Sequence, residues 1–592
     1  MTVKKKILWL VVSCLMALSL VIASCGPAEE EAEVEMGEEE VEVGEEEVVE
    51  EEGLLPPDVP KYGGTYTFIA FSDYRNWDPG FGFPMDCTAQ HFLGGYPLQG
   101  DWAKGLAGTG EIEWYGGFSG RSDVFTGNFC ESWEFPDNET IIWHVRQGVY
   151  FHDKYPVNGR QMDAYDFEYC MTRTWTPPAY HPGSVDPDAS PTSITATDKW
   201  TCVMKVPAKQ MGVVWLLTGG MSWIYPREVI DVYGDMKDWR NQVGAGPFIL
   251  TDYVTGSSLT YIKNPNYWQH DPFHPENQLP YIDTLRSLII ADPSTRLAAL
   301  RTAKVDKHTG ISWEDAELLL KQCPDLMYRT GYGMSGQPCM RVDTPSLPTY
   351  DIRVRQALNM AINKQEIIDD YYEGHAIMLG WPYRPEKAYA PWWTPLEEQP
   401  EAVQMLFEYD TTKAKQLLAD AGYPNGFNCK IQCMSTDADF LALIQNYLED
   451  IDVYMEIEPA EASIYYSYYR GRKHDDMLFK GWTTHWPARM LDSRMESLDN
   501  HAFFETTYTR ETYNTCCANY WDDTMTTPLL KEYGSYILEQ AIGIWLPVPV
   551  DYHMWWPWVQ NYHGEQNMGF VQGDYYVYYI WVDEALKASM GH

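Results

Sequence analysis

The residue whose surroundings prescribe a chemical fate most directly is Cys25. It closes the tetrad Ile22-Ala23-Ser24-Cys25, at the end of an apolar run over 7–23 that follows Lys4, Lys5 and Lys6. A positive start, a short apolar stretch and small residues before a cysteine resemble an export signal ending in a bacterial lipobox. There the thiol is diacylated and becomes the mature N-terminus. One acyl chain is a weak anchor, because each buried methylene contributes only about 0.8 kcal/mol; two or three hold firmly. The alternatives are an ordinary signal peptide with a chance cysteine and an uncleaved anchor helix. Few other residues fall into a reactive spacing. The sequence carries no H-E-x-x-H, no G-x-S-x-G and no G-x-x-x-x-G-K-[ST], so zinc hydrolysis, a serine nucleophile elbow and a phosphate loop lack their signatures. Its 85 acidic residues include no pair that spacing singles out for glycoside hydrolysis. Of twelve cysteines, Cys14 leaves with the signal and Cys25 is lipidated. The even remainder permits disulfides in an exported chain, or buried thiols. Cys429 and Cys433 stand four apart and Cys516 adjoins Cys517, without the companion ligands of a zinc site. No metal and no cofactor is expected.

The elements that must position any site begin beyond an acidic tether. Residues 29–52 are nearly all Glu, Val, Gly and Ala, with 15 glutamates and no basic residue. Like charges repel and little apolar surface is available to bury, so the segment reads as an extended spacer. The rest of the 592 residues is too long for one simple core and implies two or more lobes. A net charge of −42 argues against nucleic acid, whose phosphates require basic patches, and is compatible with a cationic ligand or simply a hydrated acidic surface. No second stretch is apolar and long enough to span a membrane.

Within the body, 65–70 reads as a strand, and 140–145 with 149–152 as a hairpin around Gly148. Asp163-Ala-Tyr-Asp166 opens a helix through Phe167, Cys170 and Met171. A strand over 284–291 is followed by Asp292-Pro293, an N-cap with proline at the first helical position. Residues 353–361 are amphipathic, Asn363 and Asp410 cap further helices, and Gly374 and Gly422 end them. Alternating strands and helices imply an α/β fold with helices packed on mixed sheets. There is no internal repeat.

Several of these stretches, taken in order, resemble one family. Trp143-His-Val-Arg146-Gln-Gly148-Val-Tyr-Phe151-His152 is similar to F-x-L-R-x-G-V-x-F-H, and Pro156-Val157, Ala164, Asp166 and Arg173 follow its next helix. Val243-Gly-Ala-Gly-Pro-Phe248 is similar to V-G-T-G-P-Y, and Asn264-Pro-Asn-Tyr-Trp268 to N-P-x-Y-W. Arg353-Val-Arg-Gln-Ala-Leu358 with Ala361-Ile-Asn363 resembles R-V-R-Q-A-L…A-I-D. Ala414-Lys-Gln-Leu-Leu418 with Ala421-Gly-Tyr-Pro424 resembles A-K-x-L-L…A-G-Y-P. These run in family order from about Gly63 to Tyr562. On them the chain is identified as a member of the bacterial extracellular solute-binding proteins of family 5, which serve dipeptide, oligopeptide and nickel ABC importers. Most of the matches are strand ends, caps and turns, so they speak to fold more than to ligand.

The resemblance implies a two-lobed periplasmic-binding-protein fold of type II. After a signal peptide (1–24) and a lipidated N-terminus with its tether (25–60) would come lobe I (61–330), lobe II (331–540), and a return crossover with the C-terminal part of lobe I (541–592). A small solute, peptide or peptide-like by family, would bind between lobes that close by a hinge and be delivered to ABC permease subunits. The receptor would be a monomer, extracytoplasmic, held at the cell membrane through Cys25, and not an enzyme. Gly481-Trp482-Thr483-Thr484-His485-Trp486-Pro487 resembles G-W-x-x-D-Y-P, whose aspartate pairs with a peptide's α-amino group. Here His485 takes that place, and a neutral imidazole is a poor substitute for a fixed anion. Trp482, Thr483, His485 and Trp486 are thus candidate ligand contacts, with a packed loop histidine and core tryptophan as the alternatives for His485 and Trp486. Phe71, Asp73 and Tyr74 follow the first strand, where the family places a cleft loop. Arg384 faces a ligand carboxylate or makes a surface ion pair. Trp555, Trp556 and Trp558 are hinge or core. An oligosaccharide or other non-peptide solute is the alternative ligand class; a sensor passing solute to a signalling partner and a secreted hydrolase are the alternative functions.

Overall fold

The Asp-Pro pair at 292–293 behaves as its chemistry prescribes. Asp292 accepts from the Thr295 amide at 2.7 Å and caps the helix Pro293–Arg301. Asp163 and Asp410 do the same for Ala164–Trp175, where a full capping box forms, and for Thr411–Asp420. Asn363 caps Lys364–Glu366, and the chain then winds through a wider turn over Ile367–Tyr371 before Gly374 ends it with a φ of +86°. The amphipathic run folds as helix Ile352–Met360. The computed structural model describes residues 59–74, 77–79, 89–115, 121–176, 189–333, 336–481, 493–495, 497–570 and 572–592. All of these belong to the compact unit Asp58–His592. Among them, no helix is long and apolar enough to cross a membrane.

Among the described residues, four sheets of four strands carry the fold. In one, Thr65–Ala70 lies parallel to Thr284–Ile289, which pairs antiparallel with Ser258–Lys263 and, beyond it, Phe248–Val254. A second is wholly antiparallel, in the order Cys130–Asp137, Thr140–Val145, Thr201–Lys205, Ser193–Asp198. Here the expected hairpin does not form. Both edges of Thr140–Val145 are taken by these neighbours, and the 149–152 segment retains one bridge, Tyr150 to Gln161. A third sheet joins distant parts of the chain: Val548–Trp555 runs antiparallel between Lys307–Ile311 and Met327–Tyr332, with Ala376–Ile377 added at its start. The fourth is mixed, in the order Gly336–Met340, Met477–Gly481, Phe427–Met434, Val453–Ala460. The architecture is α/β, as the alternation of elements predicts.

The described residues form two apolar cores. The smaller is aliphatic and gathers Val354, Leu358, Leu418, Ile431, Leu441, Ile444 and Val453 where helices pack on the mixed sheet. The larger is rich in rings: Trp102 stacks on Tyr579 at 4.7 Å, Trp381 on Trp545 at 4.3 Å and Trp556 on Trp558 at 4.8 Å. Trp555, Trp556 and Trp558 are therefore core residues. Stacked indoles bury large areas with fixed geometry. Among the described cysteines, Cys130, Cys170, Cys202, Cys323, Cys429, Cys433 and Cys516 are free thiols; all of these but Cys323 are buried, as are Cys339 and Cys517.

Candidate functional site

The period of two along a strand sets one face of the third sheet. Arg329 lies opposite His553 and Gly331 opposite Asp551, so these four share a face. Tyr115 lies across it. Its ring stacks on His553 at 4.2 Å, and its hydroxyl donates to the Asp551 carboxylate at 2.8 Å and to the Asp551 carbonyl at 3.1 Å. The approach is close enough to need glycine: a Cβ on Gly331 would stand 1.7 Å from the Tyr115 ring. Above this floor comes the segment after Trp381. The Arg384 guanidinium donates to the carbonyls of Tyr332 and, at 3.2 Å, Gly333. The Glu386 carboxylate accepts from the Tyr332 amide at 3.2 Å. Glu113 accepts from the Lys387 amide at 3.0 Å.

Together these residues enclose a cavity of about 180 Å³, walled by Glu113, Tyr115, Arg329, Gly331, Tyr332 and Glu386, among others. Stretches 61–330, 331–540 and 541–592 each supply part of its wall, the last through Val550. Burial shapes its electrostatics. It raises the Glu386 carboxyl above the usual range, against the pull of the Arg384 charge. It also raises Asp551, where the Tyr115 hydroxyl and the Arg384 charge oppose it. The Tyr115 phenol is driven up by burial and then by Asp551, so it stays a donor. Burial, helped by the nearby Lys307 charge, pushes the His553 imidazole down to about 3. Lys307, donating to the Tyr576 hydroxyl at 2.6 Å, is itself pushed by burial down to about 8. The arrangement can bind and orient a small polar group. Among the described residues no cluster of three His, Cys, Asp or Glu side chains is placed to hold a metal ion.

The sequence-derived candidates are spread differently. Arg384 is 3% exposed and sits behind the cavity, where its first partners are backbone carbonyls. Phe71 is 48% exposed, under the Arg296 guanidinium at 4.7 Å and 6.0 Å from the His308 ring. The Asp73 carboxylate accepts from the Tyr253 hydroxyl at 2.6 Å and from the amides of Gly256 and Tyr74 at 2.7 and 2.8 Å, so it locks a loop. The Tyr74 ring lies 5.8 Å from that of Trp77. Trp482, Thr483, His485, Trp486 and Cys25 lie outside the described residues. Sequence reasoning missed Glu113, Tyr115, Arg329, Glu386 and Asp551. Glu386 carried a usable signal: a carboxylate two residues from Arg384 and next to Lys387, in a stretch otherwise made of aromatic, proline and small residues.

Comparison with known proteins adds four findings. The family model of bacterial extracellular solute-binding proteins, family 5 Middle, matches residues 125–494. The heme-binding protein A of Haemophilus influenzae is 30% identical over 323 residues, which are 50% of this chain and 54% of that protein. The glutathione-binding protein GsiB of Salmonella typhimurium is 27% identical over 255 residues, 41% of this chain and 44% of that one. The chain thus spans about half the length of the curated relatives it matches. Among solved structures, the periplasmic binding protein DppA of Helicobacter pylori, in complex with the peptide STSA, superposes with a TM-score of 0.70. It is 21% identical, over 88% of this chain and 99% of that one. At that identity the likeness speaks for the fold, a mixed α/β periplasmic-binding-protein fold.

Proposed function

The chain belongs to the bacterial extracellular solute-binding proteins of family 5, and from that premise we propose that it is the extracytoplasmic receptor of an ABC importer. It captures a peptide or peptide-like solute between two lobes and passes it, unaltered, to permease subunits. Lobe I is 61–330 with 541–592, lobe II is 331–540, and diacylated Cys25 holds the monomer at the membrane through the acidic tether. The observation that carries the reading is the cavity on the third sheet, to which all three stretches contribute walls. The chain passes between the lobes near Met327–Tyr332 and Val548–Trp555, strands paired along their length, so a swing of one lobe would open or close the cavity beside them. Relatives named for heme and glutathione, and a structure holding a peptide, support a cargo of that size.

Mass spectrometry of what co-purifies with the protein, backed by a thermal-shift screen of peptides and sugars, tests this. A solute bound by the folded state alone raises the melting temperature, by mass action, as its concentration exceeds its Kd. Recovery of an intact solute that produces such a shift is expected. Catalytic turnover of that solute by the purified chain would overturn the reading.

A further inference from the structure

Glu386 is 8% exposed, yet one of its two oxygens is under-used. Oε1 accepts from the Tyr332 amide. Oε2 is buried and accepts no hydrogen bond, and the Arg384 Nε stands 4.0 Å from it. A carboxylate oxygen removed from water with no donor is costly, and the cost falls when a donor arrives, most of all a charged one. The surroundings favour a donor over another acceptor. Glu113 and Glu386 line the cavity and Asp551 lies just behind Tyr115. Against these three carboxylates stand two guanidiniums, each at the outer limit of an ion pair with one of them, Arg384 at 4.0 Å from Glu386 and Arg329 at 3.9 Å from Glu113. Arg384 gives Nη1 to two backbone carbonyls, and Arg329 leans 3.5 Å from the His563 carbonyl.

We infer that this cavity is a subsite for a cationic group of the transported solute, an ammonium or guanidinium that donates to Oε2 of Glu386 beside Glu113. Its volume suits the charged group and a short stem. A whole drug-sized solute needs roughly 300 Å³ or more, so the remainder would lie outside, along the cleft. The inference rests on the receptor reading above and narrows its substrate class.

The test uses the full chain and two probes that differ in one charge, the dipeptides Ala-Arg and Ala-citrulline, whose side chains are nearly isosteric. Titration calorimetry of the wild type should give Ala-Arg the tighter Kd by about tenfold or more, the scale of one charge-assisted hydrogen bond. Glu386→Gln keeps the shape and removes the anion, and should abolish that preference. Glu113→Gln, which retains an acceptor for the Lys387 amide, should reduce it. Mass spectrometry of retained solutes separates the two levels of the claim. A retained solute bearing a cation supports the subsite. A retained neutral or anionic solute, or a preference for Ala-Arg that survives Glu386→Gln, sinks the subsite and leaves the receptor standing. Folded protein that retains nothing and binds neither dipeptide overturns both.

Discussion

Among the described residues, the core beside 575–579 is rich in rings, and the core behind Phe427–Met434 is made mostly of branched and straight aliphatic chains, with Phe479 as its one buried aromatic. The difference is more than composition. Aliphatic side chains ask only to be packed, so the second core follows from local periodicity: a stripe on Ile352–Met360, another on Ala438–Glu449, and alternate residues of a strand. Tyrosine, tryptophan and histidine also bring polar atoms that need partners once buried. The first core is therefore threaded with polar contacts: Trp558 to Asp306, Lys307 to Tyr576, Gln269 to Tyr579. The cavity and most of the buried histidines go with the ring-built region, while Arg355 and Lys364 are buried beside the aliphatic one.

The largest blow to that contrast should come from Trp558→Ala. The indole is fully buried, stacks on Trp556, and donates to Asp306 Oδ1 at 2.7 Å. Emptying a buried tryptophan site costs about 3–5 kcal/mol, and here it also takes a donor from a buried carboxylate. Urea unfolding should show that loss. Trp558→Phe, which keeps most of the ring but not the N–H, should lose about 1–3 kcal/mol. A Trp558→Phe variant as stable as the wild type would mean that the polar thread adds nothing to the packing.

Acid should act next, and more on the ring-built region. Burial depresses His91 and His553 to about 3 and His152 and His308 to about 4. All four lie in stretches that build the aromatic core. His474, at about 4, and His501, which adjoins Ala502 of the same core, are shifted the same way. A histidine whose folded pKa is lowered contributes stability that is present above its unfolded value, about 6.5. That contribution drains away as pH falls toward the folded value. Asp306, Asp551 and Glu386 are raised and work in the opposite sense, but nearer the carboxylate range. The melting temperature should drop steadily from pH 7 to about pH 5, with tryptophan fluorescence reporting the loss. A flat profile over that window would contradict the burial of neutral imidazoles.

How far such contrasts were legible depends on the distance over which each element is specified. Asp292-Pro293, Asp163 with Asp166, and Asp410 act within four residues, and each cap stands where the sequence places it. The hairpin at 140–152 failed because strand partners from 130–137 and 201–205 outcompeted the local one. The cavity was out of reach for the same reason at a larger scale: Tyr115 and Asp551, which meet at 2.8 Å, are 436 residues apart. The matched stretch 481–487 drew attention to residues that, after Gly481, lie outside the described ones, while the glutamate two positions after Arg384 passed unnoticed. Family likeness follows structural signposts, and a buried carboxylate is not one of them.

Gly331→Ala should be a milder perturbation, confined to the seam between regions. The new methyl would collide with the Tyr115 ring, so the ring must leave its stack on His553 and its bond to Asp551. Overpacking of this kind costs about 1–3 kcal/mol. The urea midpoint should fall by that cost divided by the m value, and affinity for the bound solute should fall by about tenfold as well, a pair that calorimetry beside denaturation would detect. A fall in stability with intact affinity would place Tyr115 in the scaffold and not in the site.

The smallest expected effect compares two helix caps, one from each region. In the aliphatic half, Asp410 accepts from the Lys413 amide at 2.8 Å and stands alone as the cap of Thr411–Asp420. In the ring-built half, Asp163 works beside Asp166, which accepts from the Asp163 amide at 3.0 Å and from both terminal nitrogens of Arg160 at 2.6 and 2.8 Å. Asp410→Ala should cost about 1 kcal/mol, within the usual range for a lost N-cap, and Asp410→Asn should restore most of it because the amide oxygen still accepts. Asp163→Ala removes a comparable bond from a helix start that Asp166 and Arg160 continue to hold, so its cost should be smaller than that of Asp410→Ala. Were the order reversed, the two halves of the box would be coupled strongly enough that losing one disables the other. The ring-built region would then owe its stability to cooperative polar networks as much as to its rings.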